Sequence, residues 1–185
     1  MNPLRILTSI AGIAILALLA SAGVVSAQNP DSPAITQLLE KVRADSARAN
    51  NDAHLLESYT RSRMSSQSHG AQLETIRGHV NNLIDDSNEM AKLRNEGSPW
   101  QQQAIDRINS ILPEISAHLT TTIEHFRDNG NRTHMKEYRD LVETNRKMIE
   151  HANAIISDYV KYGKSKARSE ALQQHLKAPA SEPTS

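Results

Sequence analysis

From Ile35 to Tyr162 apolar side chains recur every three or four residues, and no segment shows the two-residue alternation of a strand. A chain with that spacing buries one continuous stripe per segment only by coiling into amphipathic helices. The punctuation agrees with it. Asp31-Ser32-Pro33 reads as an N-cap followed by Pro at the first helical position, where the missing N–H costs nothing. A first helix then carries Ile35, Leu39, Val42, Ser46, Ala49, Ala53, Leu56 and Thr60 and is expected to end near residues 61–63. Ser65-Ser66-Gln67-Ser68 offers caps for a second helix bearing Leu73, Ile76, Val80, Leu83, Ser87 and Met90, with Gly97 as its expected left-handed stop.

Ser98-Pro99-Trp100-Gln101 is the clearest local signal: an N-cap Ser, Pro at the first position and Gln at the reciprocal capping-box position. The third stripe comprises Ala104, Ile105, Ile108, Leu112, Ile115, Leu119, Thr122 and Phe126, and Asp128-Asn129-Gly130-Asn131 turns the chain. Thr133 is the expected cap of a fourth helix, with Tyr138, Leu141, Asn145, Met148, Ala152, Ile155, Tyr159 and Tyr162 on its stripe. Four segments joined by short turns pack as neighbours of alternating direction. The expected fold is all-α: an antiparallel up-down-up-down four-helix bundle over residues 28–163, with coiled-coil-like packing. An extended pair of helical hairpins that dimerises to complete its core is the alternative. Residues 164–185, with Pro179 and Pro183, read as a weakly helical to disordered tail.

Residues 1–27 carry a different pattern. Arg5 precedes an apolar run from Ile6 to Ala20, and Val25-Ser26-Ala27 supplies small residues before Gln28. These are the three parts of a cleavable export signal, with cleavage expected between Ala27 and Gln28. The expected location is therefore periplasmic or secreted. An uncleaved membrane anchor is the alternative, because Ile6 to Val25 is about long enough to span a bilayer.

The chain contains no Cys, which removes disulfides, thiol nucleophiles, Cys-ligated metals and covalent haem. Basic and acidic residues balance at 21 each, and aromatic residues make up 3% of the chain. Neither a basic field nor a set of stacking platforms for nucleic acid follows from that composition. No phosphate loop, nucleophile elbow or His-Glu-x-x-His is present.

The segment 97–108, together with Ser68-His69, Gln72-Leu73, His79-Val80-Asn81-Asn82 and Asp158-Tyr159-Val160-Lys161-Tyr162-Gly163, resembles a group of uncharacterised exported bacterial helical proteins. That resemblance implies export and a helical fold, and no activity.

Among eight histidines, His118 and His125 lie seven residues apart on one face of the third helix, and Glu114 precedes His118 by one turn. A Glu and a His one turn apart can hold a metal from a single helix, and the reversed His-x-x-Glu spacings His54/Glu57 and His134/Glu137 lie off the apolar stripes. The Glu-x-x-His pairs of di-metal bundles are absent, and solvated histidines are the simpler reading. A non-covalent haem would draw on Met90, Met148 or His151. Folding the helices antiparallel brings Ser46, Ser87, Pro113 and Asn145 towards one level, a small and polar waist. There Pro113 is a candidate hinge, because inside a helix it deletes one backbone hydrogen bond. Lys161, Lys164, Lys166 and Arg168 form a basic patch that could touch an anionic membrane surface. The reading that follows is an exported, non-enzymatic bundle with no cofactor, which binds or scaffolds an envelope component or self-associates. A metal- or haem-binding bundle is the alternative, and an enzyme with an unrecognised site the third.

Overall fold

The computed structural model describes residues 29–62 and 64–177, so the leader, the Ala27/Gln28 cleavage site and the segment from residue 178 onward lie outside the described residues. Four helices carry the fold: α1 Pro33–Thr60, α2 Ser66–Lys92, α3 Pro99–Asn129 and α4 Lys136–Lys177. Each packs on its neighbours in sequence, and α4 closes the ring against α1. This is the up-down-up-down four-helix bundle, closed within one chain. Among the described residues no helix is long and apolar enough to cross a membrane.

Caps start the helices where the sequence places them. The Ser32 side chain accepts from the Ile35 N–H, and Ser65 accepts from the Ser68 N–H. Two turns differ from expectation. Gly97 is extended (φ −81°) after a short 3-10 turn, Arg94–Glu96, so it is no left-handed stop. A Cβ at Gly97 would lie 2.8 Å from Ile35 Cδ1, and close packing of this loop on α1 is what selects glycine there. Thr133 does not cap α4 either. It closes the 3-10 turn Gly130–Arg132, and α4 begins at Lys136.

The core forms two apolar clusters, one towards each end. Ile35, Leu39, Met90, Ile105, Ile108 and Ile156 lie in the first, and Leu56, Leu73, Ile76, Leu119, Tyr138 and Ile149 in the second. Each buried Leu or Ile side chain contributes roughly 1.5–3 kcal/mol relative to exposure. Between the clusters lies the polar waist. Ser46 Oγ bonds Asn153 Oδ1 at 3.0 Å, and Ser87 Oγ bonds Asn109 Oδ1 at 2.5 Å. Ion pairs brace the outside: Lys41 reaches buried Asp86 at 2.6 Å, and Arg146 lies 3.1 Å from Glu57 across the α1–α4 seam.

Pro113 sits inside α3 without interrupting it, and its side chain is exposed. It borders an open groove of about 420 Å³ between α2 and α3, shared with Ile84, Ser87 and Asn109, rather than an internal cavity. The helix is continuous here, so the missing N–H simply leaves the Asn109 carbonyl without its helical donor. Pro113→Ala should therefore raise stability by about 1–2 kcal/mol, the regained bond outweighing the looser unfolded chain. Urea denaturation measures this, and a lowered midpoint would restore a conformational role for the proline.

The largest departure lies in α4. Its buried residues are Tyr138, Val142, Asn145, Ile149, Ala152, Ile156 and Val160. The expected stripe ran through Leu141, Met148, Ile155 and Tyr159 instead. The helix contains the doublets Leu141-Val142, Met148-Ile149, Ile155-Ile156 and Tyr159-Val160, and in each the second residue faces inward. The helix also does not weaken at Gly163. It continues to Lys177, past the expected domain boundary. Gly163 falls on the inward stripe, seven residues after Ile156, and a Cβ there would lie 2.7 Å from Trp100 Cη2. It is a socket for an indole, which offsets the roughly 1 kcal/mol that glycine costs a helix interior.

Candidate functional site

The shifted stripe leaves the first residue of each late doublet on the flank of α4, facing α3. Ile155, Tyr159 and Tyr162 there meet Trp100, Gln103 and Arg107 of α3 in an open groove of about 690 Å³, bordered also by His151 and Asp158. That volume falls in the range of small-molecule sites, roughly 300–1,000 Å³. Three of the chain's six aromatic residues converge on it.

Local sequence fixes the Trp100 wall. Ser98 and Pro99 start α3, so Trp100 occupies its first turn with the ring over Gly163. The indole Nε1–H donates to Asp31 Oδ1 at 2.7 Å, and Tyr162 meets the ring edge-on with centroids 5.5 Å apart. Burial alone would raise the Asp31 pKa, but hydrogen bonds from Ser98, Lys166 and Trp100 outweigh it and hold this carboxylate below its usual range. Next to Trp100, Gln101 is fully buried. Its Oε1 accepts from the N–H groups of Ser32 (2.8 Å) and Ser98 (3.1 Å). Its Nε2 donates to the Ser32 carbonyl (2.9 Å) and Thr36 Oγ1 (3.0 Å). One side chain thus ties the starts of α1 and α3 together and holds the groove wall still.

The charges of the groove are unequally satisfied. Asp158 pairs with Lys161 at 3.1 Å. Among the described residues neither Arg107 nor His151 enters an ion pair. Arg107 lies seven residues from Trp100 along α3, about 10 Å. The groove therefore has an aromatic end, an apolar floor and a cationic end.

The residues singled out for a metal are not brought together. His118 Nδ1 bonds Asn145 Oδ1 at 3.0 Å, while Asn145 Nδ2 donates to Thr122 Oγ1 at 2.5 Å. His125 stacks on Tyr138, and Glu114 is exposed. No group of three His, Asp or Glu side chains placed to share an ion occurs among the described residues. Met90 and Met148 belong to opposite core clusters, and His151 is exposed on the groove rim, so these three are not brought face to face. The basic patch is largely engaged: Lys164 holds Glu40 at 2.8 Å, and Lys166 holds Asp31 and Glu170 at 3.0 and 2.6 Å.

A histidine that the stripe pattern did not single out is the most deeply buried of the eight. His69 is 1% exposed, with Nδ1 3.1 Å from Tyr138 Oη and its ring edge-on to Tyr59 and Tyr138. Burial lowers its pKa from 6.5, against a smaller upward pull from the Tyr59 backbone. The unfolded chain therefore takes up this proton first as pH falls. The contribution of neutral His69 is complete above about pH 6.5 and is lost as pH drops from there through the lowered folded value. The urea midpoint should fall between pH 7.5 and 5.0, and by less in His69→Phe. An equal fall in both proteins would assign the effect to other groups.

Fold and site together define an all-α, single-chain four-helix bundle with one aromatic-walled groove between its last two helices. Comparison with protein-family models, curated proteins and solved structures gave no match.

Proposed function

We propose that this chain is an exported, non-enzymatic helical bundle that binds or scaffolds a component of the cell envelope, and that the α3–α4 groove is its binding face. The observation that carries this is the convergence of Trp100, Tyr159 and Tyr162 on a groove whose wall is locked by Gln101 and Gly163. Partly exposed aromatic side chains held in one place add contact area at low entropic cost, as binding anchors do. The export-signal pattern read in residues 1–27 is what supports the location.

The absence of cysteine makes a clean test available. Gln103→Cys, carrying a benzophenone, places one photo-crosslinker on the groove. Thr75→Cys places another on the exposed face of α2. In envelope extracts the groove probe should give a discrete adduct, lost on adding Trp100→Ala. Equal adducts from both probes, or an adduct indifferent to Trp100, would remove the groove as the binding face.

A further inference from the structure

We infer that the α3–α4 groove takes an amphipathic monocarboxylate whose apolar or aromatic body is about 10 Å long. The inference rests on the groove being the binding face and adds the chemistry of what fills it.

Trp100 and Tyr162 meet edge to face, and Ile155 and Tyr159 line the same groove. Two helical turns further along α3 Arg107 borders the groove, which His151 also lines from α4. Neither has an anionic partner among the described residues, whereas the basic side chains Lys161, Lys164 and Lys166 each hold a carboxylate. A guanidinium stays charged at any working pH and matches a carboxylate in a two-point geometry. One such cation beside an apolar floor calls for a single negative charge at one end of an otherwise apolar ligand. A highly charged polymer would need a row of free cations, whereas Lys161, Lys164 and Lys166 are each already paired. The distance from Trp100 to Arg107, about 10 Å along the helix, sets the ligand's length.

Trp100 is the only tryptophan, so its emission reports directly on the groove. The probe is 6-phenylhexanoate, with 6-phenylhexanamide as its neutral counterpart. The carboxylate should shift Trp100 emission saturably. Binding should weaken about tenfold for the amide and in Arg107→Gln, and should weaken with added salt. Arg107 is exposed, so Arg107→Gln should keep the wild-type circular dichroism and urea midpoint. Equal affinity for acid and amide, unchanged affinity in Arg107→Gln, or no saturable response would each overturn the inference. A groove-specific crosslink combined with any of those three results would retain the binding face and discard this ligand class.

Discussion

Replacing Gln101 by Leu should destabilise the bundle by about 3–4 kcal/mol, a large share of a typical domain's stability. The substitution keeps the volume and removes five hydrogen bonds at once, the longest being the Ser98 hydroxyl's on Oε1 at 3.5 Å. It leaves the Ser32 and Ser98 N–H groups without the acceptor that Gln101 now supplies, while the Ser32 carbonyl keeps the Thr36 N–H and hydroxyl. Each such buried group costs about 1–3 kcal/mol when left unpaired, and partial access to water keeps the total below the simple sum. The expected result is a lower urea midpoint with an unchanged slope. The starts of α1 and α3 should also exchange their amide hydrogens faster than the rest of the bundle. A loss below about 1 kcal/mol would mean that water replaces the amide without penalty.

Tyr138→Ala should cost about 3–5 kcal/mol, the range for emptying a large aromatic site in a packed core. Tyr138 is 1% exposed and touches the rings of His69 in α2 and of His125 and Phe126 in α3. It is therefore the residue that holds the second core cluster closed at its end. Tyr138→Phe keeps the ring and loses only the hydroxyl on His69, for about 1 kcal/mol. Chemical denaturation of the two variants separates packing from hydrogen bonding. Similar losses in both would shift the importance from the ring to the hydroxyl.

Much of this architecture was legible in the sequence because helix caps and stripes are local. Ser32, Ser65 and Ser98 start helices where their neighbours predict, and the stripes of α1, α2 and α3 contain most of the residues the structure buries. What was not legible depends on the partner helix. In α4 each apolar doublet satisfies the helical period with either member, and only packing against α1 and α3 selects Val142, Ile149, Ile156 and Val160. That choice turns Ile155, Tyr159 and Tyr162 from expected core into groove. The expected bundle ends at Gly163, since sequence cannot show that an indole from α3 fills the space of its missing side chain. His69 and Gln101 are polar residues at core positions, buried because both their polar atoms and their neighbours' find partners there. Gln101 is the capping-box residue that its position three after Ser98 predicts. Its reach to Ser32, 69 residues away, is a tertiary fact.

The groove as binding face is the claim on which the functional reading stands, and amide hydrogen exchange with and without envelope extract tests it most directly. Protection should appear in residues 100–107 of α3 and 151–162 of α4, with α2 unchanged. Protection centred on the α1–α2 face, with the α3–α4 groove exchanging as in the free protein, would contradict it.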